Sequence, residues 1–186
     1  MLKNIYLICG KSGSGKTTVV EKLEQNYGYA VLKSYTTRKQ RHPNDTDHIY
    51  SDISDYMAAK EENNIIASTV FDHNYYWATI EQLNNSDLYV IDKDGIESLY
   101  EKYHGSRQLV VIYIDVDNDE CITRMKKRGD KDTVVWKRVK HDEEAFKDIE
   151  GLSDFIIDGN KDENTVLNTV YKIITDCELI ADKVIM

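Results

Sequence analysis

Gly10-Lys11-Ser12-Gly13-Ser14-Gly15-Lys16-Thr17 is the segment of this chain whose residue types and spacing speak most directly of chemistry. Its pattern, G-x-x-x-x-G-K-[ST], wraps backbone around phosphate oxygens and is known as a P-loop. Glycines permit the turns that aim successive N–H groups inward at an anion. A helix starting at the loop adds its positive N-terminal end. Lys16 is long enough to meet the β- and γ-phosphates, and the Thr17 hydroxyl suits Mg²⁺. Gly10, Ser12, Gly13, Ser14, Gly15, Lys16, Thr17 and Thr18 are therefore expected to hold ATP, with Mg²⁺ beside it. Asp92, at the end of an apolar run, is either a carboxylate holding water on that Mg²⁺ or a cap at the start of a helix.

Such a loop works only between a strand and a helix. Residues 5–9 are apolar and residues 17–27 have helical character, so both flanks are in place. Further strands are expected at 29–32, 88–91, 109–116 and 155–157. Helices are expected at 95–103, 118–128, 133–149 and 163–179. In the last of these, Val166, Val170, Ile173, Ile174 and Cys177 recur at helical spacing and make one apolar face. Strands alternating with helices imply an α/β fold with a parallel sheet covered on both faces. Residues 34–85 break that rhythm. They are polar, rich in Tyr and His, and read as an inserted lobe of short strands with a small helix at 54–62 capped by Ser54. An insertion at the carboxyl edge of a parallel sheet is where a substrate binds. Residues 129–133 separate two charged helices and read as a mobile flap.

With 186 residues there is room for one core. The net charge of −9 argues against nucleic acid and membrane surfaces as partners, though it leaves room for a local basic pocket. Three cysteines, Cys9, Cys121 and Cys177, have no metal or disulfide spacing, which fits a reducing cytoplasm. The stretch from Met1 to Asn4 is too short for a signal peptide before the first strand. His42, His48, His73, His104 and His141 show no ligand spacing.

Beyond the P-loop, Ser34-Tyr35-Thr36-Thr37-Arg38-Lys39-Gln40-Arg41 matches an S-x-T-T-R-x-x-R segment, and Asn74-Tyr75-Tyr76 is similar to N-Y-Y-G. Ile91-Asp92-Lys93-Asp94 is like L-D-I-D, and Arg124 to Gly129 is like R-x-x-x-R-G. Together these resemble the guanylate kinase family of nucleoside monophosphate kinases, over nearly the whole chain. The resemblance implies a P-loop NTPase three-layer sandwich over 1–186: a five-stranded, mainly parallel sheet with helices on both faces. An NMP-binding lobe at 34–85 and a short lid at 124–138 would complete it. It implies that Arg38, Arg41 and Tyr76 hold the acceptor's monophosphate, with either His48 or Tyr50 as a further ligand. Ser34 and Asp94 match positions that face the base. Arg124, Arg128 and Arg138 would close over ATP and, with Lys16 and Arg38, offset charge in the transition state.

Two departures stand out. The position of the family's guanine-reading glutamate falls near Ala67, and no acid lies between Asn63 and Val70. The family's small hydroxyl residue falls on Ala78, with Thr79 adjacent, and its glycine is Trp77. The phosphate grip looks intact while the base-reading half is partly erased. The expected activity is transfer of the γ-phosphoryl of ATP to a phosphate-bearing small molecule, with GMP or dGMP leading, by a monomer or homodimer. Another nucleotide or a phosphosugar such as ribose 1,5-bisphosphate, and a non-catalytic binding module, are the alternatives.

Overall fold

The structure, a computed structural model, describes residues 2–41, 43 and 45–184. Met1 and His42, named above, lie outside them. The chain opens with β1 (Asn4–Cys9), α1 (Lys16–Tyr27) and β2 (Val31–Leu32). It then builds β3 (Tyr35–Thr36), β4 (Ile49–Tyr50), α2 (Ile53–Glu61), β5 (Ile65–Phe71), β6 (Asn74–Thr79) and α3 (Ile80–Asn84). After β7 (Leu88–Val90) come α4 (Lys93–Lys102), β8 (Gln108–Asp115), α5 (Asn118–Lys127) and α6 (Asp132–Ala145). A 3-10 turn at Ile149–Leu152, β9 (Phe155–Asp158) and α7 (Glu163–Val184) finish it.

The main sheet has the order β2-β7-β1-β8-β9, and every pairing is parallel. Its central strands are apolar on both faces because each face is roofed by helices. From β1 and β8, Tyr6, Ile8, Val110, Ile112 and Ile114 enter one core layer, with Val20 and Leu23 of α1 and Val170 and Ile174 of α7. The alternate residues Ile5, Leu7, Cys9, Val111 and Tyr113 enter the other layer, with Ile96 and Leu99 of α4. Period-two alternation thus feeds two layers, each fully buried aliphatic side chain contributing about 1.5–3 kcal/mol.

A second sheet, β4-β3-β6-β5, forms the lobe. It differs from an array of short strands, because β5 and β6 make a hairpin of seven and six residues. Its small helix is capped by Asp52 and not by Ser54: the Asp52 carboxylate accepts from the amides of Ser54 and Asp55. The expected helix 133–149 ends at Ala145. Val135 packs in the first core layer and Phe146 in the second, so the chain must change faces between them. Acids in the last turn, Asp142 to Glu144, also oppose the helix dipole there. The first helix boundary is fixed by Gly15, whose φ of 94° ends the loop's left-handed path.

Candidate active site

The P-loop runs from the carboxyl end of β1 into α1. Gly13 has φ +85°, and a Cβ there would lie 2.7 Å from the Cys121 carbonyl oxygen, so α5 packs directly on loop backbone. The Lys16 ammonium is folded back into its own loop and donates to the carbonyls of Gly10 at 2.6 Å and Lys11 at 2.8 Å. Burial pushes its pKa down, against the opposing charge of Asp142. Ser12, Gly13, Gly15, Lys16, Thr17 and Thr18 line a cavity of about 570 Å³, while Gly10 lines the adjoining one and Ser14 is buried behind the loop.

Three arginines face the same large cavity from the far side. Arg124 of α5 donates to the loop carbonyl of Ser14 at 3.4 Å, to the Gly159 carbonyl at 3.0 Å and to Glu120 at 2.7 Å. Arg128 pairs with Asp130 at 2.6 Å. Arg138 of α6 is held over the Phe71 ring and lies 3.4 Å from the Ser12 hydroxyl. Among the described residues its buried Nε has no partner. Burial and the neighbouring positive charges of Arg41 and Arg128 push the Arg138 pKa down.

On the acceptor side, a second cavity of about 220 Å³ adjoins the first. Arg41, Ser34 and His48 border both, and Tyr76 borders the second. Ser34 Oγ and His48 Nδ1 are 2.9 Å apart, and the imidazole meets the Tyr76 ring edge-on. Burial, joined by Arg38 and Arg41, lowers the His48 pKa to about 4, so this ring is neutral near pH 7.

Four expected residues are placed otherwise. Arg38 lines neither cavity; its guanidinium donates to Asp45 at 3.0 Å and to the Tyr50 hydroxyl at 3.0 Å. Tyr50 is engaged in the same cluster and lines neither cavity. Thr79 caps α3 in a capping box with Gln82, which occupies its hydroxyl. Asp94 is exposed in the first turn of α4, because Asp92 takes the cap position ahead of it. Asp92 accepts from the Gly95 amide at 2.9 Å and also borders the second cavity. Burial raises its pKa, with Asp94 adding to the rise.

Three residues that the sequence reading passed over are central here. Asp45 is 3 % exposed and gathers Arg38 and the Arg41 amide. Burial alone would raise its pKa, but hydrogen bonds from Arg38 and Tyr50 prevail and hold it well below the usual carboxylate range. Asp142 accepts from the Ser12 amide at 2.6 Å. Thr69 borders the second cavity directly opposite Tyr76 in the β5–β6 ladder, whereas Ala67 is packed in the core. Asp142 had one readable signal: it stands four residues after Arg138 on an expected helix, hence on the same face. Asp45 had none beyond its sign.

For a divalent cation, Thr17 lines the cavity beside Lys16 and would offer one hydroxyl, which suits Mg²⁺ when phosphates and water supply the remaining ligands. Among the described residues no group of three or more His, Cys, Asp or Glu is placed to hold a metal ion, and no helix is long and apolar enough to cross a membrane.

A family model described as an AAA domain matches residues 7–147. Guanylate kinase of Mycoplasma genitalium is 26% identical over 185 residues, covering 91% of this chain and 74% of that protein. Guanylate kinase of Legionella pneumophila (strain Paris) is 29% identical over 147 residues, covering 73% of this chain and 69% of its own. The crystal structure of guanylate kinase from Anaplasma phagocytophilum shares the fold, with TM-score 0.72 at 22% identity over 95% of this chain and 87% of that one.

Proposed function

The chain belongs to the AAA domain family, and from that premise we propose that it transfers the γ-phosphoryl group of ATP to GMP or dGMP. The observation that carries the reading is the convergence of Lys16, Arg41, Arg124, Arg128 and Arg138 on one cavity in a protein of net charge −9. Cations crowded in this way repel one another, and Arg41 and Arg128 add to the burial that depresses the Arg138 pKa. A ligand rich in phosphate oxygens relieves that repulsion and supplies the partner that Arg138 Nε lacks. The named relatives, all guanylate kinases, favour a GMP acceptor over a phosphosugar and over a non-catalytic module.

Phosphoryl transfer needs in-line placement and positive charge more than a protein nucleophile. Lys16 and the loop amides would bind the β- and γ-phosphates. Arg138, on the wall between the two cavities, would meet the group in transit, and Arg41 and Tyr76 the acceptor's phosphate. Arg38 would join them only by leaving Asp45. Thr17 would hold Mg²⁺, which when bound offsets charge on the bridging oxygens. Asp92 borders the second cavity while accepting from Gly95 and Thr69, and would be the carboxylate to meet a water of that ion. Ser34, His48, Ser68 and Thr69 border the second cavity as polar groups that would meet a base.

An ADP-release assay with ATP, Mg²⁺ and a panel of nucleoside monophosphates tests this. GMP and dGMP should lead. Absence of turnover with every nucleotide would refute the proposal.

A further inference from the structure

The lid helix α6 reaches the phosphate loop with two side chains one turn apart. Arg138 Nη1 lies 3.4 Å from Ser12 Oγ, and Asp142 Oδ2 accepts from Ser12 N at 2.6 Å. The second contact is a short, charge-assisted hydrogen bond to a backbone amide of the loop. Asp142 is 7 % exposed, and it borders the second cavity together with Gly10, Ser12 and Lys16. Its charge is the largest influence on Lys16 after burial. A carboxylate oxygen is therefore bonded to a loop amide, its charge is felt by the buried Lys16 ammonium, and its other oxygen lies 3.4 Å from His141 Nδ1.

We propose that Asp142 is an internal occupant of the phosphate loop, holding α6 against the loop and giving way when the donor's phosphates bind. This rests on the donor site proposed above. A nucleotide triphosphate brings several negative charges to a place that already holds one, and two oxyanions do not share one amide. The exchange moves α6, and the fold provides for it. Gly129 joins α5 to α6 at φ +94°, a left-handed position that glycine adopts without strain, and the ties across the junction are the surface pairs Lys126–Asp132 and Arg128–Asp130. Withdrawal of Asp142 removes one tie between α6 and Ser12, so the same event leaves Arg138 free to re-aim at the incoming phosphates.

An occupant present in nine-tenths of ligand-free molecules lowers apparent donor affinity about tenfold. The experiment is ADP binding by calorimetry, with Mg²⁺ present, to the full chain and to Asp142→Asn and Asp142→Glu. The asparagine keeps the shape and the ability to accept from Ser12 but removes the charge. It should bind ADP about fivefold to tenfold more tightly and lower KM for ATP to match, while the glutamate should stay near wild type. Equal or weaker ADP binding by a folded Asp142→Asn overturns the proposal, because the carboxylate would then be neutral toward the donor or serve it. Should Asp142→Asn fail to fold, amide exchange of residues 132–145 in the wild type decides. Exchange that changes on saturation with ADP supports displacement of α6, and unchanged exchange overturns it. If no form binds ADP, the donor site itself is wrong and the proposal falls with it.

Discussion

At the level of single residues, the phosphate loop separates turnover from folding. Lys16 makes its contacts to its own loop, so Lys16→Ala should leave the melting temperature within a few degrees while turnover drops about a thousandfold. Steady-state kinetics beside a thermal melt check both halves. His48 yields a pH prediction whose sign follows from its depressed pKa. The unfolded imidazole titrates near 6.5 and the folded one near 4, so in that window the unfolded chain binds more protons. His48 therefore contributes its full share of stability above pH 6.5 and loses it as pH falls toward 4. His48→Gln should flatten the wild-type slope of melting temperature against pH between those limits; equal slopes would mean the ring is not held neutral. That Lys16, Arg41, Arg124, Arg128 and Arg138 share a cavity was legible because phosphate chemistry leaves a local pattern of types and spacings, whereas Arg38 turns to Asp45 instead. Asp45 was not, since its role depends on a fold that brings Arg38 and Tyr50 to it. Thr79 was misread because a hydroxyl near a site and a hydroxyl starting a helix look alike in sequence.

Among the elements, legibility followed burial. β8 was readable because an almost wholly apolar run has one sensible home, the middle of a sheet covered on both sides. The lobe was less readable: its hairpin is half-exposed, with aromatic pairs such as Tyr35–Trp77 and Tyr56–Tyr75 in place of a deep apolar run. The break after Ala145 was hidden because periodicity continues through Phe146, while the layer it faces changes. The α5–α6 junction turns on Gly129, whose left-handed backbone suits glycine alone at no strain. Gly129→Ala meets no steric neighbour, so the cost is conformational only, about 1 kcal/mol, or roughly 2–4 °C in melting temperature. A much larger loss would show that the junction carries packing that the surrounding space does not suggest.

Across the whole molecule, the β5–β6 hairpin and α6 touch. At the β5–β6 turn Asp72 pairs with Lys137 of α6, and behind it Phe71 meets His141 edge-on and lies under Arg138. The second cavity is therefore lined by two parts of the chain far apart in sequence, Phe71 of the lobe and Arg138 and His141 of α6. The ion pair is solvent-exposed, so it contributes about 0–1 kcal/mol and is weakened by salt. That makes it a contact that can be reversed without disturbing the core. Lys137→Glu places like charges across the gap and should raise the nucleotide release rate about twofold to fivefold at low salt. Stopped-flow displacement of a fluorescent nucleotide would read this, and the difference from wild type should shrink as salt rises to about 0.5 M, where the Debye length falls below the reach of the pair. A release rate equal to wild type at low salt would mean that the Phe71–His141–Arg138 stack alone holds hairpin and helix together, and that the exposed ion pair only follows it.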